Sequence, residues 1–167
     1  MYTRLDDFLS DAMEDALEGQ KLYDALTDAS LTQAVAAGHR SLGQIAWHSV
    51  QSVTEMLNRT GLGLDASHES EPVPVLAAEI ADAHRQVWAD AVNMTREEWT
   101  DETLEMIDDM WGMKWTRGRT LLTLLIHGAH HRGQMTVLMR QAGLPVHGVY
   151  GPAKEEWALM GMEPPAI

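Results

Sequence analysis

The sequence predicts an all-α protein, a four-helix bundle with one long crossover and an irregular C-terminal tail. Four stretches repeat apolar residues at the helical period, and none alternates apolar and polar residues as a half-buried strand does. A polar linker at residues 64–74, with two prolines, is long enough to join distant helix ends. With 167 residues, 45% of them apolar, the chain is expected to form one domain, 1–167, with a core that needs no disulfide.

Each helix is predicted from its apolar stripe and its end signals. The four helices are expected at residues 3–26, 41–58, 75–94 and 117–141. Gly61 and Gly63 follow the second helix. Thr116 is the expected N-cap of the fourth helix, and Gly143 marks its end.

Two regions have weaker patterns. Thr95 and Glu98 have the spacing of a capping box for a separate short helix, and residues 110–115 are predicted to be extended or irregular. The tail, 144–167, contains four of the six prolines. We expect it to wrap over the bundle with at most a short helix at residues 154–159.

Composition excludes several classes of function. The formal charge of −13 repels phosphate groups, which argues against nucleic acid and anionic membranes as partners. The absence of cysteine excludes disulfides, thiolate metal sites, iron–sulfur clusters and a cysteine nucleophile. Residues 1–7 have no signal-peptide pattern, and the longest apolar run, 121–126, is far too short to span a bilayer, so a cytoplasmic protein is expected.

A histidine pair in the fourth helix is the main candidate for chemistry. His127 and His131 are four residues apart, so their side chains share one helix face. Leu124 and Leu138 lie on the same arc, which predicts that both imidazoles point into the bundle. Two neutral imidazoles in this spacing can hold one divalent cation if another element supplies a third ligand.

His48, in the middle of the second helix, is the best candidate for the third ligand, and His84 in the third helix is the reserve. Three histidines would leave a coordination position open for water or substrate. Imidazole suits zinc, nickel, copper and iron, so the ligand type does not identify the metal. The alternative is that these histidines are ordinary polar core residues without a metal, and the spacing leaves both interpretations open.

The neighbouring residues have weaker predicted roles. Gln134 shares the arc of His131 and could orient a ligand, whereas His130 is expected at the rim or behind the ligands. Arg132 and Gly133 lie off the arc; Arg132 is a possible contact for a substrate carboxylate, and Gly133 could allow close helix approach. The three remaining histidines fall in predicted loops and support no prediction: His39, His68 and His147.

The segment that contains the histidine pair is locally basic. Residues 110–154 include no Asp or Glu but half of the twelve basic residues, among them Arg117 and Arg132. This charge could attract an anionic substrate or stabilise a bound thiolate. Equally, these arginines could pair with the acidic first helix and with residues 97–109.

Two strings of residues resemble a known family. His127-Gly-Ala-His-His131-Arg-Gly-Gln134, followed by Leu138-Met-Arg140-Gln-Ala-Gly143, resembles the closing helix of the DinB/YfiT-like superfamily. Val149-Tyr-Gly-Pro152 and residues 157–165 resemble tails found in part of it. The resemblance covers the whole chain and implies a four-helix bundle of unusual connectivity, commonly a homodimer. It also implies a divalent metal, often nickel or zinc, at the positions of His48, His127 and His131.

Three functions remain open at this point. Members of the resembled family with established chemistry use low-molecular-weight thiols, which favours a metal-dependent thiol S-transferase acting on a small-molecule substrate. Hydrolysis by metal-bound hydroxide is the second hypothesis, but Gly128 follows His127, so a carboxylate base would have to come from elsewhere. The third is a non-catalytic bundle that binds a metal or small ligand under stress.

Overall fold

The computed structural model of the protein describes residues 1–166, and the last residue of the predicted tail, Ile167, lies outside it. The all-α fold class is confirmed. The four α-helices are α1 (Leu5–Asp24), α2 (Leu42–Asn58), α3 (Ala77–Glu98) and α4 (Arg117–Gln141). The long crossover between α2 and α3 contains one short 3₁₀ helix, Ser67–Ser70.

The helices pack as a bundle around one continuous hydrophobic core. α1 packs mainly against α3, while α2 packs against both α3 and α4. The start of α4 lies beside the end of α2, where the Arg117 guanidinium donates to the Thr60 carbonyl at 2.8 Å. At the other end, Gln33 accepts a hydrogen bond from the backbone N–H of Leu42, the first residue of α2, and its side chain donates to Gln141 at 3.3 Å. α2 and α4 are therefore antiparallel neighbours.

The predicted capping box at Thr95 and Glu98 is wrong, because α3 continues through both residues. Thr95 is fully buried, and its carbonyl accepts a hydrogen bond from the backbone N–H of Trp99 at 3.1 Å. Thr95 thus extends the buried stripe of Val87, Ala91 and Val92 by another turn, and this burial continues the helix past the local cap signal.

A β-hairpin occupies the region predicted to be extended or irregular. β1 (Ile107–Met110) pairs antiparallel with β2 (Met113–Thr116), with Met110 opposite Met113. The two turn residues, Trp111 and Gly112, have φ values of 56° and 83°. Turns of this kind favour Gly or Asn, so a tryptophan in this conformation is strained, and the sequence does not indicate the hairpin.

The hairpin leads directly into α4. The Thr116 side chain accepts from the backbone N–H of Arg119 at 3.3 Å, as expected for the N-cap. Met110 is fully buried, which anchors the hairpin to the bundle. The hairpin therefore helps to fix the starting point of the helix that contains the histidine pair.

The tail crosses the bundle and contains a 3₁₀ helix at Lys154–Met160, where a short helix is predicted. Tyr150 in the tail contacts Asp15 of α1 and Arg132 of α4 through its hydroxyl group. None of the helices within residues 1–166 combines the length and apolar character needed to cross a membrane.

The tight approach of the N-terminal segment to α4 can be tested with alanine. A methyl group at Gly118 would overlap the backbone carbonyl of Tyr2, whereas a methyl group at Gly133 would meet open space. The prediction that Gly133 allows close helix approach is therefore wrong. We expect Gly118→Ala to lower the free energy of unfolding by about 1–3 kcal/mol, the usual effect of overpacking.

Gly133→Ala is the matched control, since it makes the same substitution in the same helix. It should raise the free energy of unfolding by about 0.5–1 kcal/mol through helix propensity alone. Denaturant titration of the three proteins measures both changes. Equal effects at the two sites would contradict the packing described for Gly118.

Candidate metal centre

Three histidines from α2 and α4 meet at one point. One ring nitrogen from each of His48, His127 and His131 lies within 4.8 Å of the other two. The ring centroids are 4.4 Å apart for His127 and His131, 4.8 Å for His48 and His131, and 5.3 Å for His48 and His127. The structure therefore brings together the three residues that the sequence selects as candidate ligands.

Local helix signals explain how His48 reaches this point. Ser41 is the N-cap of α2, and its side chain and that of Gln44 form a reciprocal capping box with backbone N–H groups. His48 follows about two turns into the helix, next to the buried residues Trp47 and Ser49. Because the start of α2 is fixed, the helix face from which His48 projects is fixed with it.

The hydrogen bonds of His131 define its tautomer. Its Nδ1 lies 2.8 Å from the Gln134 amide oxygen, which can only accept, so Nδ1 carries the proton. The amide nitrogen of Gln134 lies 3.2 Å from His130 Nε2 and can donate to it, consistent with the same amide orientation. The lone pair of His131 is then on Nε2, which lies 3.0 Å from His127 Nε2. Histidine ligands usually donate their second ring N–H to an oxygen acceptor, and the Gln134 amide oxygen is that acceptor for His131.

All three imidazoles are held in the neutral form. Burial and then the positive charge of Arg40 lower the pKa of His48 to about 4. Burial also lowers the pKa of His127 and of His131, with smaller effects from neighbouring positive groups. At neutral pH each ring therefore keeps a lone pair, the state that a metal ligand requires.

The donor set fits a divalent transition metal. Three neutral nitrogen donors converge within 4.8 Å of one another. Three histidines are the protein ligands of one common type of catalytic zinc site, in which a further position stays open. This arrangement can therefore bind a metal and present it to a small molecule.

Two charged residues beside the cluster are not found by the sequence analysis. Arg40 lies in the loop before α2, and its positive charge lowers the pKa of all three histidines. The negative charge of Glu55 raises the pKa of His48 and of His127. Glu55 follows His48 by seven residues and so lies on the same helix face, and this spacing could have identified it from the sequence. For Arg40, the only indication in the sequence is its place directly before the N-cap of α2.

The other histidines do not contribute a ring nitrogen to this cluster, although His39 lines a cavity beside His131. His84, the reserve ligand, is buried between α1 and α3, where its ring stacks on Tyr23 at 3.9 Å and its Nδ1 lies 2.6 Å from the Gln20 side-chain oxygen. His130 is exposed at the rim, 5.1 Å from the His131 ring. His68 and His147 pair with Glu71 and Glu156 near the surface.

Arg132 does not take part in the cluster, contrary to its predicted role. It is 3% exposed and forms an ion pair with Asp15 of α1, and it also contacts the Tyr150 hydroxyl. Arg117 likewise pairs with Asp108 at 3.1 Å. Of the two interpretations of the basic segment, pairing with α1 and with residues 97–109 is therefore the one that the structure supports for these two arginines.

The second and fourth helices of this bundle bring three neutral histidines together. The fold and the site thus define a class of protein: a helical bundle with a candidate centre for a divalent metal. The family model for the DinB family matches residues 1–166. The chain belongs to the DinB family.

Individual relatives agree with this assignment. The chain is similar to the uncharacterized protein YrdA of Bacillus subtilis (strain 168), with 45% identity over 167 residues that cover all of both chains. A DinB-like protein from Bacillus cereus ATCC 10987 has 45% identity and a TM-score of 0.86, over 90% of this chain and 100% of that one. The DinB-like protein YjoA from Bacillus subtilis is 20% identical with a TM-score of 0.67, over 84% and 96%, and shows the fold alone.

The metal content of purified protein tests the cluster. We expect about one equivalent of divalent metal in the wild type and a large loss in His127→Ala, because two imidazoles hold the ion much less tightly than three. His147→Ala is the matched control, since it removes a histidine that pairs with Glu156 near the surface and lies outside the cluster. Elemental mass spectrometry gives the stoichiometry. Equal metal content in His127→Ala and wild type would contradict the assignment of the ligands.

The buried His84 predicts a pH-dependent stability. Burial, followed by the charges of Arg132 and Arg85, lowers the pKa of His84 from 6.5 to about 3. Below pH 6.5 the unfolded chain therefore takes up a proton at this residue that the folded chain excludes. As the pH falls below 6.5, the free energy of unfolding should therefore decrease by up to about 1.4 kcal/mol per pH unit from this group alone.

His84→Phe keeps an aromatic ring against Tyr23 and removes the titration. Its free energy of unfolding should depend less steeply on pH between 6.5 and 4.5, measured by denaturant titration with a chelator present. Identical slopes in the two proteins would show that His84 is protonated as readily in the folded state as in the unfolded chain.

Proposed function

We propose that the protein is a divalent-metal-dependent thiol S-transferase, with nickel or zinc bound by His48, His127 and His131. The convergence of three neutral imidazoles beside a cavity is the observation that carries this proposal. A metal held there would lower the pKa of an incoming thiol and so supply a thiolate at neutral pH. Free thiols have an ordinary pKa of about 8.5 and are mostly protonated at pH 7.

The chain's own residues have defined tasks in this proposal. Gln134 holds the His131 ring with its Nε2 lone pair toward the cluster, and burial keeps all three rings unprotonated. Arg40 supplies positive charge next to the site, which favours an anionic sulfur over a neutral thiol. Since the chain contains no cysteine, the thiol has to come from a co-substrate.

Hydrolysis remains the second candidate because Glu55 is a possible general base. Its Oε1 accepts hydrogen bonds from Trp111 Nε1 at 3.1 Å and from Arg59 at 3.4 Å. Both bonds end on Oε1, so Oε2 keeps its capacity to accept a proton. It lies on the His48 face of α2, two turns further along, and its negative charge raises the pKa of His48 and of His127, which makes it the carboxylate to test as a base.

Two assays separate these reactions. Conjugation of a thiol, cysteine or 2-mercaptoethanol, to 1-chloro-2,4-dinitrobenzene forms a carbon–sulfur bond and releases chloride, and cleavage of p-nitrophenyl acetate reports hydrolysis. A transferase should accelerate conjugation in its zinc- or nickel-loaded form, and His127→Ala should abolish the effect.

Glu55→Gln is the discriminating variant. It should change thiol conjugation little if the proposal holds, since that reaction needs no carboxylate base. If the protein is a hydrolase, the variant should lose ester cleavage by about 10²-fold or more. Metal-dependent hydrolysis that requires Glu55, without conjugation of either thiol, would replace the proposal with the second candidate.

A further inference from the structure

A cavity of about 390 Å³ opens directly beside His131. This volume falls in the range of about 300–1,000 Å³ that small-molecule sites usually have. Its polar lining consists of His39, Arg40, Gln134 and the ring of His131. The cavity therefore shares one candidate metal ligand, and the carboxamide that orients it, with the metal centre.

Arg40 is the one fixed positive charge among the residues that line this cavity, and no Asp or Glu is among them. The arginine ion pairs in residues 1–166 involve Arg59, Arg85, Arg117, Arg132 and Arg140, but not Arg40. Its guanidinium is therefore available to a ligand, unlike those of Arg117 and Arg132. Although the protein has a net charge of −13, an unpaired cation at the cavity wall makes the cavity attract negatively charged ligands.

The loop that carries Arg40 is anchored at both ends. Ala34 and Ser41 form an antiparallel bridge, and the Leu42 backbone N–H donates to the Gln33 carbonyl at 2.7 Å. Gly38 turns the chain with a φ of 79°. These contacts hold the backbone of Arg40 immediately before the Ser41 N-cap and leave its side chain exposed.

The remaining walls of the cavity are aliphatic. Ile45 and Leu138 form its buried side, while Val35 and Val137 are 61% and 52% exposed at its mouth. A ligand that covers the two valines would remove exposed apolar surface from water, which favours binding. This surface favours a ligand with an apolar body over a small inorganic anion.

We propose that this cavity binds a small organic monocarboxylate with an apolar body, whose carboxylate pairs with Arg40 while its carbon chain lies against Val137 and Leu138. The inference rests on the proposed function in one respect: it identifies such a carboxylate as the substrate class of the same site. One guanidinium neutralises one negative charge, and the acidic protein disfavours a dianion, so a carboxylate fits better than a phosphate monoester.

Hexanoate is a suitable probe, with acetate, hexylammonium and hexyl phosphate for comparison. We expect hexanoate to bind more tightly than acetate, because acetate lacks the apolar body, and hexylammonium not to bind. Titrations followed by amide chemical shifts give the dissociation constants and locate the site. They are carried out on zinc-loaded protein and on metal-free protein, where no bond between carboxylate and metal can contribute.

Arg40→Gln should weaken hexanoate binding about three- to tenfold, and Arg40→Lys should retain most of it. Arg85→Gln is the matched control, since it removes the same charge from an exposed arginine on α3 that pairs with Asp24 and Asp82. Equal binding by Arg40→Gln and wild type, no saturable hexanoate binding, or equal binding of hexylammonium would each overturn the proposal. Preferential binding of hexyl phosphate would overturn the carboxylate assignment.

Failure of this inference and failure of the proposed function give different results. Hexanoate binding by metal-free protein that depends on Arg40 supports the cavity assignment even if no thiol is conjugated. Conversely, metal-dependent thiol conjugation without hexanoate binding would leave the transferase standing and remove only the substrate class.

Discussion

The antiparallel contact between α2 and α4 is the constraint on which the candidate metal centre depends. His48 is 79 positions before His127, and only this helix contact places their rings 5.3 Å apart. Each end of the contact is fixed independently, by Arg117 against Thr60 and by Gln33 against Gln141. A shift of one helix by a single turn, about 5.4 Å, would separate the ligands. The site is thus a property of helix register as much as of three residue types.

α4 also carries a second polar cluster, directed toward α1. The Arg132 side chain fits between α1 and α4 because Gly19 and Gly128 leave room for it: a Cβ at these positions would lie 3.3 Å and 3.0 Å from Arg132 atoms. Asp15 neutralises the guanidinium inside the protein, and Tyr150 of the tail covers the pair. Two polar faces on one helix interrupt its apolar stripe. This buried pair and the Arg117–Asp108 pair give two of the segment's six basic residues a partner within the protein.

Much of this arrangement could be predicted from the sequence. The i, i+4 spacing of His127 and His131 defines their shared face, and the helical period locates all four helices. Longer-range geometry could not be predicted in the same way. Arg132 lies next to His131 in sequence but contacts Asp15, 117 residues earlier, and no local pattern encodes that pairing. The sequence does not indicate the hairpin, because Trp111 occupies a turn position where Gly or Asn is usual. Arg40 depends on a loop closed by tertiary contacts, which periodicity does not describe.

X-ray absorption at the zinc edge of zinc-loaded protein, before and after addition of 2-mercaptoethanol, tests both the three-histidine centre and the binding of a thiol to its metal. We expect nitrogen scatterers at about 2.0–2.1 Å, with the imidazole signature, in the protein alone. After addition of the thiol, one sulfur should be present at about 2.3 Å while the imidazole signals remain. A spectrum without imidazole ligands would contradict the three-histidine centre, and an unchanged spectrum at saturating thiol would contradict thiol activation by the metal.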